Sequence, residues 1–370
     1  MTIMNQTQQL HRDFDTRAKP GTVAVIGAGM AGLSAARVLS EAGAEVTVFD
    51  KSRGTGGRLA SRSFEQGWID LGAPYLSMDG SDLASFITER TSPDIIQEWN
   101  PDTDGVFSPD ERISHVGVPR NSAVTRSLLA DLNFQASTRI TRMEPSSAGW
   151  ALFGEDSSLL GLWNQVVLAV PVPQARDLLA GHPKFHKSLR AVSMEPCWVA
   201  AIETAEDLDG LADVTNYRHP VIRRISRNRA KPGRGQRNIY LIQANKHWSR
   251  EYLEVEPQAV GAHLTESFSS LVSMDVKLRL LFAHLWRYAF VENPLGVPFL
   301  WDEHLKLGVC GDWCLGRRVE DAWRSGFELG QRMAARETSQ EAPAVQTPRS
   351  AKREGRRWSN FRWFSTRCRH

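Results

Sequence analysis

A short apolar run, Val23-Ala24-Val25-Ile26, leads straight into Gly27-Ala28-Gly29-Met30-Ala31-Gly32, and a helical pattern continues through Leu39. Glycines at this spacing, between a buried strand and the mouth of a helix, leave few folds open. Gly27 permits a tight turn, Gly29 lets a pyrophosphate approach the backbone, and Gly32 allows the helix to pack closely on the strand. The first helical turn, with Met30 and Ala31, adds free N–H donors and a partial positive charge. A second strand, Glu45 to Phe49, ends in Asp50. That position is about twenty residues beyond the glycines, where a carboxylate accepts hydrogen bonds from ribose hydroxyls. The segment predicts a β-α-β unit opening a doubly wound α/β sheet.

A chain of 370 residues with 41% hydrophobic content can bury a large core or two interleaved domains. Its most apolar stretch, Val166 to Val172, is far shorter than the ~18 residues a membrane span requires, so no membrane association is expected. Met1 to Pro20 is polar and carries Asp13 and Asp15, which suits a disordered leader and not a secretory signal. The four cysteines, Cys197, Cys310, Cys314 and Cys368, are too scattered for a disulfide scaffold, which favours a reducing, cytoplasmic setting. Cys310 and Cys314 lack a second pair of ligands at metal spacing, so no metal is expected. Of the formal charge of +3, a share of +5 falls from Glu337 onward, with eight Lys or Arg against three Glu, leaving −2 elsewhere. The body therefore carries no basic signature for nucleic acid.

Periodicity and turn residues divide the chain further. Residues 21–78, 115–180 and 302–336 read as the dinucleotide-binding domain, and 79–114 with 181–301 as an interleaved α+β substrate domain. Residues 337–370 read as a disordered basic tail. Strands are predicted at Thr138 to Met143, Gly149 to Phe153, Gln165 to Val170, Cys197 to Ile202, Asn238 to Ala244 and Leu307 to Cys310. Helices are predicted at Val124 to Leu132, Gln174 to Leu179, Pro257 to Leu271 and Val319 to Met333.

A second glycine-dense loop follows Asp50, Lys51-Ser52-Arg53-Gly54-Thr55-Gly56-Gly57-Arg58. It permits another close backbone approach, and Arg58 can clamp a phosphate with a charged fork. A simple nicotinamide dehydrogenase does not need such a loop, whereas a Gly-Gly-Arg segment after the ribose-binding acid resembles the flavoproteins of the amine-oxidase superfamily. Within that superfamily, Ile69-Asp70-Leu71-Gly72-Ala73-Pro74-Tyr75 is similar to the flavin-side segment of renalases. Then His115-Val116-Gly117-Val118-Pro119, Pro196-Cys197-Trp198, Lys231-Pro232-Gly233-Arg234, Trp286-Arg287-Tyr288-Ala289 and Gly311-Asp312-Trp313-Cys314 follow in the renalase-like order. The resemblance covers about Thr22 to Met333 and implies a Rossmann-type, p-hydroxybenzoate hydroxylase-like FAD-binding domain.

By that resemblance Gly29 and Ala31 meet the FAD pyrophosphate, Asp50 the ribose, Arg58 and Gly57 the phosphate region, and Ile140 the adenine; no cysteine has an evident role as an attachment point, so the FAD is expected to be noncovalent. Gly72, Ala73, Pro74 and Tyr75 lie beside the isoalloxazine, with Gly311 and Asp312 as the last contact. Pro74 stands where the family has Gln, removing one amide and one N–H donor. The implied activity is oxidation of misreduced dihydro isomers of NAD(P)H, with O2 as acceptor and the flavin carrying the chemistry. Arg223, Arg224, Arg227, Arg229 and Arg234 suit an anionic dinucleotide substrate, or else form a solvated basic loop. Trp198, Trp286, Tyr288 and Trp313 could wall a planar ring or serve as core.

Two other readings stand beside this one. A conventional amine oxidase would use the same fold on amines. A non-catalytic flavin-binding module would act on nucleic acid or an anionic surface through its tail, where Trp358, Phe361, Trp363 and Phe364 alternate with Arg356, Arg357, Arg362 and Arg367.

Overall fold

Thr22–Ile26 is buried along its whole length, as a strand covered on both faces must be, and reads as an unbroken apolar run for that reason. In the computed structural model, which describes residues 21–65, 67–78, 82–107, 115–272 and 276–340, this strand is interior to a six-stranded sheet. Glu45–Phe49 pairs with it in parallel on one side and Gln165–Leu168 on the other. Asn133–Gln135 and Leu307–Val309 extend the parallel sheet outward, and Leu300–Asp302 adds an antiparallel edge.

One face of this sheet carries the helix Met30–Glu41, and against it lies the long helix Val319–Gln340. Glycine brings these two helices together: a Cβ on Gly326 would lie 1.9 Å from the Ala31 carbonyl oxygen, and one on Gly330 would lie 2.9 Å from Val38 Cβ. Val23, Val25, Leu33, Leu39, Trp323 and Leu329 share the resulting core. The opposite face is covered by the meander Arg142–Ser146, Gly149–Phe153 and Leu159–Trp163. Trp150 and Leu152 pack there with Ala24, Ile26, Val166 and Leu168.

A second six-stranded sheet runs Leu278–Asn293, Ser193–Thr204, Ile239–Ala244, Ile222–Arg227, Val214–Asn216 and Thr103–Gly105. It is antiparallel except at its last pair, where Thr103–Gly105 runs parallel to Val214–Asn216. Helix Pro257–Val272 buries Val260, Leu264 and Phe268 against Trp198, Ile202, Tyr240 and Ile242 on one face. The other face packs Ala201, Ile239 and Leu241 against Ile69 of the two-stranded ribbon Ser61–Phe64 and Gly67–Asp70.

Several sequence expectations shift. Helix Asp82–Arg90, allotted to the substrate domain, places Leu83, Phe86 and Ile87 in the core beside Trp323, where its apolar stripe is covered. Helix Pro183–Leu189 likewise sends Phe185 and Leu189 to the first sheet. No strand spans Thr138 to Met143. Thr138 donates its N–H to the Asp50 carbonyl at 2.8 Å, and pairing begins at Arg142. The last helix continues to Gln340, past the boundary expected at 336. The leader 1–20 and residues 341–370, with the tail aromatics and arginines and Cys368, lie outside the described residues.

Candidate dinucleotide site and its adjoining cavity

Gly27 takes φ +114, where an added Cβ would lie 2.4 Å from the Ala169 carbonyl oxygen, so only glycine makes this turn. At Gly32 a Cβ would strike the Gly27 carbonyl at 1.9 Å and crowd Ala169, which makes it the packing glycine. Gly29 differs from both, since nothing lies within 4 Å of the position its Cβ would take. It caps the helix Met30–Glu41 with no side-chain hydrogen bond, leaving first-turn N–H groups directed into a cavity. Asp50 steadies the loop, its two carboxylate oxygens accepting from Ala28 N and Ser52 N at 2.8 Å each. Gly56 N donates to Ala28 O at 2.9 Å, and the Cβ direction of Gly57 comes within 3.7 Å of Gly29 Cα, so the second glycine loop backs the first.

The cavity, about 1380 Å³, continues from the glycine loops to the second sheet. Gly27, Gly29, Met30, Ala31, Asp50, Lys51, Gly57, Arg58, Gly72, Ala73, Pro74, Tyr75, Ile140, Gly311 and Asp312 line it, while Gly32 lies behind in the packing. Sequence positions up to 285 residues apart, from 27 to 312, are thus gathered around one space.

Arg58 does not stand free over the loop. Its guanidinium makes a two-pronged pair with the Asp312 carboxylate, both contacts 2.5 Å, and donates to Ala289 O at 3.3 Å. Its backbone carbonyl accepts from Ala73 N at 2.8 Å, and a Cβ on Gly72 would lie 1.8 Å from that oxygen. The wall Leu71 to Tyr75 hangs from this contact and from Trp286 Nε1, which donates to Leu71 O at 2.9 Å.

The wall is anchored below by Asp70, which is fully buried. Its Oδ1 accepts from Ser61 and from Asn121 N, and its Oδ2 from Lys231 Nζ at 3.1 Å and Arg234 Nη2 at 2.8 Å. Burial alone would raise its pKa, but Lys231, Arg234 and the Asn121 N–H outweigh it and hold the carboxyl at about 2. Lys231 and Arg234, from the connection between Ile222–Arg227 and Ile239–Ala244, thereby tie the second sheet to the two-stranded ribbon of Ser61–Phe64 and Gly67–Asp70.

The substrate-side expectations divide. Trp286 and Tyr288, two residues apart on Leu278–Asn293, line the cavity, as does Arg223, which lies 4.9 Å from the Phe290 ring. Trp198 and Trp313 border the cavity as well, but as pillars of the core: they are 2% and 0% exposed, and their indole N–H groups bond to Tyr252 O at 3.0 Å and Val170 O at 3.1 Å. The arginine cluster is also split. Arg227 and Arg229 pair with Asp207, and Arg234 is committed to Asp70, so neither a solvated loop nor a five-arginine phosphate grip forms. Arg223 and Arg224 alone of the five reach the cavity.

Gln243 and His284 line it too, the first passed over in the sequence reading and the second left there without a role. Alternation held the signal: His284, Trp286 and Tyr288 recur at every second residue of one strand and so share a face.

Residues 25–89 match the family of NAD(P)-binding Rossmann-like domains. The chain carries a Rossmann-like dinucleotide-binding domain. An L-amino acid oxidase of Bothrops pictus is 48% identical over 56 residues, which make up 15% of this chain and 11% of that relative. An L-amino-acid oxidase of Mus musculus is 48% identical over 58 residues, 15% of this chain and 9% of the relative. The chain thus spans only about a tenth of these curated relatives. The fold extends much further: a putrescine oxidase structure aligns at TM-score 0.65 with 13% identity, covering 85% of this chain and 99% of that one. A fatty acid isomerase from P. acnes aligns at TM-score 0.65 with 12% identity, covering 85% and 99%. The two-sheet α/β architecture is the one these proteins share. Among the described residues, no helix is long and apolar enough to cross a membrane.

Proposed function

We propose that this protein is an FAD-dependent oxidase of the renalase-like kind. It oxidises 2- or 6-dihydro isomers of NAD(P) to NAD(P)+ while O2 and a proton become H2O2. The observation that carries the reading is the continuity of one cavity, from the uncapped helix start at Gly29 to Arg223, Arg224, Trp286 and Tyr288 on the second sheet.

The residues present fit FAD. The open Cβ direction of Gly29 leaves room for a pyrophosphate on the first-turn N–H groups of Met30 and Ala31. Asp50 retains lone pairs for ribose hydroxyls beyond the two it spends on Ala28 and Ser52. Ile140, buried beside Thr138 on the Asp50 carbonyl, would meet the adenine, and Gly72 to Tyr75 with Asp312 the isoalloxazine end. Bound there, FAD supplies the centre that accepts a hydride and reduces oxygen.

The protein's part is to hold and shelter. Trp286 and Tyr288 offer flat apolar surface to a planar ring, and Arg223 and Arg224 favour an anionic substrate. Cys197 and Cys314 are buried, which pushes their thiols up to about 12, and burial also raises Cys310 well above the ordinary thiol value. None is a ready nucleophile for covalent attachment, in keeping with noncovalent FAD. In cells the expected setting is the cytoplasm.

The test is anaerobic stopped-flow bleaching of the flavin band with 2- and 6-dihydro isomers, ordinary 4-dihydro NADH and a panel of amines. Bleaching by the isomers, with peroxide on admitting oxygen, is the expected result. Bleaching by amines alone would make the protein an amine oxidase, and none by any compound would leave a binding module.

A further inference from the structure

The strands Leu278–Asn293, Ser193–Thr204 and Ile239–Ala244 bring His284, Val199 and Gln243 into register, so the three form one row across the sheet and line the cavity together. Directly opposed residues of antiparallel strands share a face. With strands ~4.8 Å apart, Gln243 and His284 arise roughly 10 Å from one another, with Val199 between them.

Both side chains are incompletely used by the protein. Gln243 is 5% exposed, donates Nε2 to Gly72 O at 3.3 Å and, among the described residues, finds no partner for Oε1. His284 is half-buried and meets the Trp286 ring edge-on at 4.6 Å, and among the described residues neither ring nitrogen has a hydrogen-bond partner. Burial, aided by Arg62, holds its pKa below the ordinary histidine value, so the imidazole is neutral with one donor and one acceptor.

We propose that Gln243 and His284 are the specificity-determining pair of this cavity, each binding the substrate's carboxamide in one of two orientations of the ring. The inference rests on the dihydronicotinamide reading above. In a 2-dihydro isomer the hydride-bearing carbon lies between the ring nitrogen and the carbon that carries the carboxamide. In a 6-dihydro isomer it lies on the other side of the nitrogen. To bring either carbon to the same point with the ribose leaving by the same path, the ring must turn over about the axis through its nitrogen. The carboxamide then swings from one side to the other. An apolar residue flanked by two polar ones supplies a partner for each orientation. The 4-dihydro form has its reactive carbon on the axis itself and cannot reach that point without displacing the ribose.

The experiment compares anaerobic flavin bleaching by purified 2- and 6-dihydro-NAD in the wild-type holoprotein, Gln243→Met, His284→Phe and the double variant, each with its flavin-to-protein ratio and NAD+ affinity. Each single variant should lose one isomer at least about tenfold more than the other, with opposite preferences, as expected for one lost hydrogen bond. NAD+ affinity should fall about twofold in each single variant and about tenfold or more in the double, because the product can use either orientation. His284→Asn, which keeps a donor and an acceptor, should restore much of what His284→Phe loses. Variants that lose both isomers equally, or neither, or a double variant with unchanged NAD+ affinity, overturn the pair and leave the parent reading standing. A wild-type protein bleached by neither isomer removes the parent reading and the pair with it.

Discussion

Arg58 and Asp312, 254 residues apart in the chain, meet in a two-pronged ion pair that ties the second glycine loop to the short turn Asp312–Cys314 ahead of the helix Val319–Gln340. Asp312 is almost wholly buried, whereas Arg58 keeps about a third of its side chain in solvent.

Removing one member of this pair should cost more than the pair itself is worth. Arg58→Ala strands a buried carboxylate, and the loss should be about 2 kcal/mol, below the range for fully buried pairs because Arg58 is partly solvated. Asp312→Asn in the same background should recover most of it. Urea denaturation of the four proteins in the cycle reads the coupling directly, and additive losses would show that the contact contributes nothing. Flavin retention should fall in Arg58→Ala as well.

Asp70 makes stability depend on acid. Its folded pKa is about 2 against an ordinary 3.8, so it contributes stability in full above about pH 4 and loses it as the pH falls toward 2. The contribution is on the order of 2 kcal/mol. Asp70→Asn leaves Lys231 and Arg234 buried without an anion and should cost about 3 to 5 kcal/mol at neutral pH. The variant should also lack the acid-induced fall between pH 4 and 2. An unchanged pH dependence would rule out this carboxyl as its source.

The glycines of the first loop should separate folding from binding. Gly32→Ala forces a methyl against the Gly27 carbonyl and should cost about 2 kcal/mol or more, as should Gly326→Ala against Ala31. Gly29→Ala meets open space, so its melting temperature as apoprotein should stay near wild type while its FAD affinity drops. Equal effects of the Gly29 and Gly32 substitutions on the apoprotein would contradict these separate roles.

Arg223 offers a test of substrate charge. Arg223→Ala should raise KM for dihydro-NADP isomers about tenfold with an unchanged flavin-to-protein ratio, the loss expected for one charge-assisted contact. An unchanged KM would place the substrate's phosphates elsewhere.

The first β-α-β unit was readable because local rules determine it: strand, glycine turn and helix are contiguous, and the terminal Asp50 follows at a set distance. The partners of charges were not. Nothing near Arg58 in sequence indicates that Asp312 neutralises it, and Arg227, Arg229 and Arg234 read as one basic cluster until folding distributes them between Asp207 and Asp70. Aromatic residues presented the same difficulty. Trp198 and Trp286 both border the cavity and both satisfy their N–H groups on backbone carbonyls, and only burial distinguishes the enclosed Trp198 from the partly open Trp286. His284 was accessible in principle, since strand periodicity couples it to Trp286 and Tyr288, but the bulges in that strand's pairing obscure the pattern.

The parallel sheet is assembled from distant parts of the chain, and this orders events during synthesis. The glycine loop is made long before Gly326 and Gly330, against which its helix packs. Asp312 likewise is made long after Arg58, its partner in the ion pair. A nascent chain that ends before Asp312 therefore holds an unfinished nucleotide pocket, and loading of the cofactor registers whether the stretch from Asp312 to Gly330 has been made and has docked.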